Sequence, residues 1–151
     1  MNKKVLFVCL GNICRSPTAQ AVFEKTIIEK RLPVECDSAG TAAYHIGKAP
    51  DKRSITAAKK RNVDLTSLRA RQAIVDDFYE FDYIFAMDQH NLADLKDIQP
   101  DGAKAQLHLC LEPVNCEQNE MPDPYHGEQD GFETVLNLCE QATDYWVTQI
   151  V

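Results

Sequence analysis

The chain is expected to fold as one α/β domain, residues 1–151, with a central four-stranded parallel sheet and helices on both faces. Two patterns predict this. The apolar runs Val5-Leu6-Phe7-Val8 and Tyr83-Ile84-Phe85-Ala86-Met87 do not alternate with polar residues, as expected of strands buried on both faces. Stretches with apolar residues at helical spacing lie between the strands, and strand-helix alternation favours parallel pairing. A length of 151 residues suits a single domain with one sizeable core.

Taken in order, residues 4–9 read as the first strand. Ser16 suits the N-cap of the next helix and Pro17 its first helical position. Ala19, Val22, Phe23, Thr26 and Ile27 share one face of that helix, which should end near Arg31, before Pro33. Val34 to Gly40 reads as a second strand ending in a turn, and 41–50 as a loop. Asp51 suits the cap of a helix running to about Arg61, and Gln72 to Phe78 reads as a weaker helix. Tyr83 to Met87 is the third strand, followed by Asp88 as the cap of a helix through about Lys96. Gln106 to Leu111 is the fourth strand, and the proline- and glycine-bearing segment 112–130 a long loop. The last helix spans about Gly131 to Ile150, with Phe132, Val135, Leu136, Cys139, Ala142, Trp146 and Val147 at helical spacing. Ligands of such sheets sit at the carboxyl ends of the strands. Cys9, Ser38, Asp88 and the loop after Leu111 should therefore converge on one rim.

Composition narrows the function. A net charge of −7, from 23 acidic and 16 basic residues, argues against nucleic acid or an anionic membrane surface as the main partner. An anionic substrate then needs a local positive site. No run approaches a membrane span, and Met1-Asn2-Lys3-Lys4 leads into too few apolar residues for a signal peptide. The six cysteines are scattered, some within apolar runs, which favours reduced thiols and a cytoplasmic location.

The stretch that carries chemistry is Cys9-Leu10-Gly11-Asn12-Ile13-Cys14-Arg15-Ser16. It spans a strand-to-helix turn, so backbone N–H groups and the positive end of a helix dipole face whatever the loop holds. Gly11 and Asn12 tolerate unusual backbone angles. A phosphate fits this loop. Cys9 is the candidate nucleophile, because a small, soft thiolate attacks phosphorus well, and loop amides, the helix terminus and Arg15 all favour its ionised form. Arg15 offers a planar fork for two phosphoryl oxygens. The amides of Leu10 to Arg15 would take the remaining oxygens, and the Ser16 hydroxyl could bond the sulfur. Hydrolysis also needs a group that protonates the leaving oxygen and later deprotonates water. Asp123 is the candidate, between the stiffening prolines of Met121-Pro122-Asp123-Pro124-Tyr125.

These residues bring a family into view. The chain resembles the low-molecular-weight protein tyrosine phosphatases in Val8-Cys9-Leu10-Gly11-Asn12-Ile13-Cys14-Arg15-Ser16-Pro17, Asp37-Ser38-Ala39-Gly40-Thr41, Ala70-Arg71-Gln72, Met87-Asp88 with Asn91, and Asp123-Pro124-Tyr125. The resemblance covers nearly the whole chain. It implies a phosphotyrosine protein phosphatase I-like fold, a phosphocysteine on Cys9, phosphate binding by Arg15, and Asp123 as general acid and then base. It implies that Asn12 holds the loop, Ser38 supports it from the second strand, and Ser16 stabilises the departing thiolate. It implies that Tyr44 and Tyr125 wall the cleft, and that no metal or cofactor is needed. Phosphotyrosine proteins are the implied substrates, opposite a bacterial tyrosine autokinase. A deep, aromatic-walled cleft would prefer phosphotyrosine to the shorter phosphoserine. Two positions depart from the family pattern: Leu68 stands where relatives often have histidine, and Tyr44, followed by His45, where many have tryptophan.

Cys14 shares the tight loop with Cys9, and α-carbons within about 7 Å would permit a reversible disulfide. A redox switch is expected there. The competing readings are a thioredoxin-linked arsenate reductase, with Cys110 and Cys116 as a shuttle pair, a protein-arginine phosphatase, and a phosphocysteine carrier. The Asp123 segment disfavours the reductase and the carrier, and Ile13 disfavours the arginine branch, which tends to carry threonine there.

Overall fold

The computed structural model describes residues 2–125, 127 and 129–150. The elements are β1 (Lys3–Cys9), α1 (Arg15–Lys30), β2 (Val34–Gly40), α2 (Lys52–Lys59), α3 (Asp77–Glu80), β3 (Tyr83–Ala86), α4 (Gln89–Ile98), β4 (Gln106–Leu109) and α5 (Gln129–Ile150), with a 3-10 turn at Glu117–Asn119. The sheet has the order β2-β1-β3-β4, and every pairing is parallel.

Alternate residues of β1 serve different cores. Val5, Phe7 and Cys9 face a core built with Phe23 of α1, Ala57 and Ala58 of α2, and Val135, Leu136 and Trp146 of α5. Leu6 and Val8 face the other, with Phe78 of α3, Leu95 of α4, and Ile84 and Ala86 of β3. The sheet is thus covered on both faces, which is why its strands read as unbroken apolar runs. Phe85 anchors the larger core, stacked on Phe7 at 5.6 Å and against Trp146 at 4.6 Å between ring centroids. The Trp146 indole N–H donates to the Cys110 carbonyl at 2.8 Å, joining α5 to the end of β4.

The chain steps from β1 outward to β2, then crosses back to β3 on the other side. The carboxyl end of β1 is therefore the switch point where a crevice forms, and Cys9 is its last residue. Among the described residues no helix is long and apolar enough to cross a membrane.

Three local expectations need correction. Cys14, not Ser16, is the N-cap of α1, and Arg15 is its first residue. The Cys14 carbonyl takes both the Thr18 amide (3.3 Å) and the Thr18 hydroxyl (2.7 Å), which winds the first turn earlier than the Ser-Pro signal suggests. The stretch Gln72 to Phe78 is not a helix: Gln72 bridges to Gly40, and the Ala73 amide donates to the Gly40 carbonyl at 2.8 Å. This segment extends the β2 edge, and only Asp77–Glu80 turns helical. Finally, β4 ends at Leu109, since Cys110 and Leu111 enter a turn.

Candidate active site

The loop from Cys9 to Arg15 is held from beneath by a hydrogen-bond relay with a fixed direction. Asn12 has a left-handed backbone, φ 58°, a conformation Asn tolerates better than most residues. Its side-chain oxygen accepts the Arg71 amide at 3.0 Å. That backbone donor sets the orientation of the carboxamide, so its nitrogen donates to Ser38 Oγ at 2.9 Å and to Ser16 Oγ at 2.8 Å. Ser38 passes its proton on to Gln20 Oε1 at 2.7 Å. Ser16, already an acceptor, has its one proton free for Cys9 Sγ, 3.0 Å away, in preference to the Ala39 carbonyl at 3.4 Å. The Asn12 amide also donates to Cys9 Sγ, at 3.3 Å. Two donors thus converge on the sulfur.

Arg15 is 4% exposed, so its direction is decided by its partners. Nη1 donates to Asp88 Oδ2 at 2.6 Å and to the Met121 carbonyl at 3.1 Å, and Nη2 lies 3.8 Å from Asp123 Oδ2. Burial alone would disfavour its charge. The Cys9 sulfur, then Asp88 and Asp123, outweigh burial and raise the Arg15 pKa above the ordinary value. Asp88 does double duty: its other oxygen caps α4 through the Asn91 amide at 2.7 Å. Among the described residues, Cys14 at the N-cap makes no side-chain hydrogen bond to the first turn of α1, a helix start that suits an anion.

Above the loop lies a cavity of about 240 Å³, lined by Cys9, Leu10, Gly11, Ile13, Cys14 and Arg15 at its base and by Tyr44, His45, Asp123 and Tyr125 on its walls. The structure thus brings the thiol, the guanidinium and the Asp123 carboxyl together from positions 9, 15 and 123. Asn12 and Ser16 are placed differently from the lining residues: both are buried, and their side chains are engaged beneath the loop. Ser38 lies at the far end of the same relay. Tyr44 is 72% and Tyr125 39% exposed, so both stand at the mouth.

A family model described as low molecular weight phosphotyrosine protein phosphatase matches residues 4–151. The chain belongs to this family. A putative low molecular weight protein-tyrosine-phosphatase of Synechocystis is 42% identical, covering 97% of this chain and 96% of its own. The low molecular weight phosphotyrosine protein phosphatase of Gallus gallus is 45% identical over 91% of this chain and 89% of its own. A crystal structure of a protein tyrosine phosphatase from Entamoeba histolytica, with Hepes in its active site, matches with a TM-score of 0.92 at 39% identity, covering 98% of this chain and 96% of that one.

Within this low-molecular-weight phosphatase, sequence reasoning missed four participants. Asp88 was read as a helix cap on the site rim and as part of a family-matching piece, but not as the partner of Arg15. Gln20 reads as an ordinary helix residue. His45 had no signal beyond its neighbour, yet its ring lies 6.4 Å from both the Tyr44 and Tyr125 rings. It also packs on the loop so closely that a Cβ on Gly11 would meet its Cδ2 at 2.9 Å, which accounts for glycine there. Gly40 is required likewise: its Cβ would meet the Leu10 carbonyl at 2.6 Å. Arg53, the fourth, binds both Asp51 and the Tyr125 carbonyl. Leu68, in place of the family's frequent histidine, packs against the larger core, while the Asn12 relay is completed by Ser38, Gln20 and the Arg71 amide.

Proposed function

We propose that the chain is a protein tyrosine phosphatase working through a phosphocysteine. The observation that carries this reading is the pairing, in one cavity, of a doubly hydrogen-bonded thiol with a buried arginine and a carboxyl approaching from a separate loop. Cys9 Sγ attacks the phosphorus, and the bond from phosphorus to the aryl oxygen breaks. Asp123 gives its proton to that oxygen as it leaves. Arg15 and the loop amides hold the equatorial oxygens, where charge develops. Asp123, now a carboxylate, takes a proton from water as water attacks the phosphocysteine. The sulfur–phosphorus bond breaks, inorganic phosphate departs, and the Ser16 hydroxyl stabilises the released thiolate.

Substrate choice follows from depth. The phosphate must reach the loop amides at the base while Tyr44, His45 and Tyr125 enclose the ring above. A phosphoserine is too short to do both. Ile13 at the cavity base favours this reading over an arginine phosphatase. Cys110 is fully buried, which disfavours a disulfide shuttle through it to thioredoxin. The carboxyl of Asp123 disfavours a carrier that must keep water from its phosphocysteine. Free cysteines support a reducing, cytoplasmic setting. A bacterial tyrosine autokinase as the opposing enzyme is supported by the family resemblance.

Hydrolysis of an aryl phosphate and of matched phosphotyrosine and phosphoserine peptides tests the reading. Cys9→Ser should abolish turnover, and Asp123→Asn should lower kcat by about 10²–10⁴-fold, the usual worth of a positioned proton donor. Full activity in Cys9→Ser, or comparable turnover of phosphoserine, overturns it.

A further inference from the structure

The loop that carries Asp123 has to be held against the phosphate loop, and one side chain spans the two. Arg53, in the first turn of α2, donates from Nε to Asp51 Oδ1 at 3.1 Å and from Nη2 to Asp51 Oδ2 at 3.0 Å. Nη2 also donates to the Tyr125 carbonyl at 2.8 Å. The guanidinium lies 5.5 Å from the Tyr125 ring centroid and 4.8 Å from that of Phe132, in α5. Asp51 is itself fastened to the phosphate loop, since its amide donates to the Ile13 carbonyl at 2.8 Å. A path therefore runs from Ile13 through Asp51 and Arg53 to Tyr125. It ends beside the acid, because the Tyr125 amide donates to Asp123 Oδ1 at 3.1 Å.

We propose that Arg53 is a positioning residue for the proton-transfer step, clamping Tyr125 to the start of α2 and thereby setting the distance from the Asp123 carboxyl to the phosphoryl group. This rests on the reading of Asp123 as the proton donor. The chemistry asks for arginine. A planar fork engages both oxygens of Asp51 and one carbonyl while its face stacks on two rings, and a lysine ammonium cannot do these together. Pro122 and Pro124 stiffen the Asp123 backbone but supply no N–H with which to anchor it.

Leaving groups read this role directly. Phenol needs the acid's proton as its bond to phosphorus breaks, whereas 2,4-dinitrophenol departs readily without it. The first-turnover release of each should be measured, per titrated site, in wild type, Arg53→Ala, Arg53→Lys and Asp123→Asn. Arg53→Ala should slow phenol release by about 10–100-fold, as expected for a displaced catalytic group, and 2,4-dinitrophenol release by less than about threefold. Arg53→Lys should recover part of the loss. Equal slowing of both leaving groups in Arg53→Ala, with a selective effect in Asp123→Asn, overturns the positioning role alone. Equal slowing in Asp123→Asn overturns the reading of Asp123 and the proposal with it.

Discussion

Cys14 shows how a single side chain in a shared loop takes on a chemistry different from its neighbour's. Cys9 has two hydrogen-bond donors on its sulfur. Burial pushes the Cys14 thiol up to about 12, with the charge of Asp51 adding to the effect. It is protonated at neutral pH, and only a small thiolate fraction can attack an oxidised Cys9. Peroxide should convert Cys9 to a sulfenic acid, and Cys14 sulfur then displaces water to close a disulfide, reversible by thiols. Below 12 the Cys14 thiolate fraction rises with pH, so the lifetime of the dimedone-reactive sulfenic acid should shorten by about tenfold per pH unit between roughly 6 and 9. A Cys14→Ser variant should lose that dependence and proceed to sulfinic acid. A lifetime independent of pH in the wild type rules out closure by Cys14. At this scale Cys9, Arg15 and Asp123 are each ordinary for their place, and it is their combination around a strand-to-helix turn that the sequence showed. It could not show Asp88 on Arg15 or Gln20 behind Ser38, because a second partner for a helix cap or a helix glutamine is set only by packing.

Helix starts explain both the legible and the illegible parts of the elements. Asp51 and Asp88 cap α2 and α4 as read, each accepting the amide of a first-turn residue. The start of α1 was misread because Ser16 is a good cap by type, while its hydroxyl is committed to sulfur. The 72–78 stretch was misread because helical spacing is a local signal and the competing bonds to Gly40 are not. The cap of α2 also predicts a pH effect. Burial would raise the Asp51 pKa, but hydrogen bonds from the Arg53 side chain and amide, and the Arg53 charge, outweigh it and hold the carboxyl below its ordinary 3.8. A group depressed in the folded state stabilises fully above its unfolded value and loses that contribution as pH falls through the folded one. Wild type should therefore exceed Asp51→Asn in Tm by a constant margin from about pH 5 to 8. The margin should shrink below about pH 4. A margin that grows on acidification contradicts this account.

For the whole molecule, the decisive fact is that β1 lies between β2 and β3, so both strand neighbours and the loops after them frame one switch point. Alternation of strands and helices made that architecture readable, and the rule for ligand position then placed the crevice at Cys9. What alternation could not convey is how much the frame depends on one ring. Phe85 is fully buried in β3 and touches Phe7 of β1, Tyr83 of its own strand, His108 of β4 and Trp146 of α5. Its truncation leaves a cavity bordered by three strands and a helix, whose main chains are pinned by ladder bonds and cannot collapse inward. Phe85→Ala should cost about 3–5 kcal/mol, lowering Tm by about 10 °C or more, while Phe85→Leu, which refills much of the space, should cost less than half of that. The phosphate loop is tied to the turn after β2 and to the 70–73 segment by bonds that do not involve Phe85, namely Thr41 N to the Cys9 carbonyl, Ala42 N to the Leu10 carbonyl and Arg71 N to Asn12. Well below the lowered Tm, kcat on an aryl phosphate should therefore stay within about twofold of wild type, the change being one of stability and not of transition-state binding. Thermal unfolding with parallel steady-state kinetics at 15 °C tests both halves, and a large fall in kcat in folded Phe85→Ala contradicts the separation of site from core.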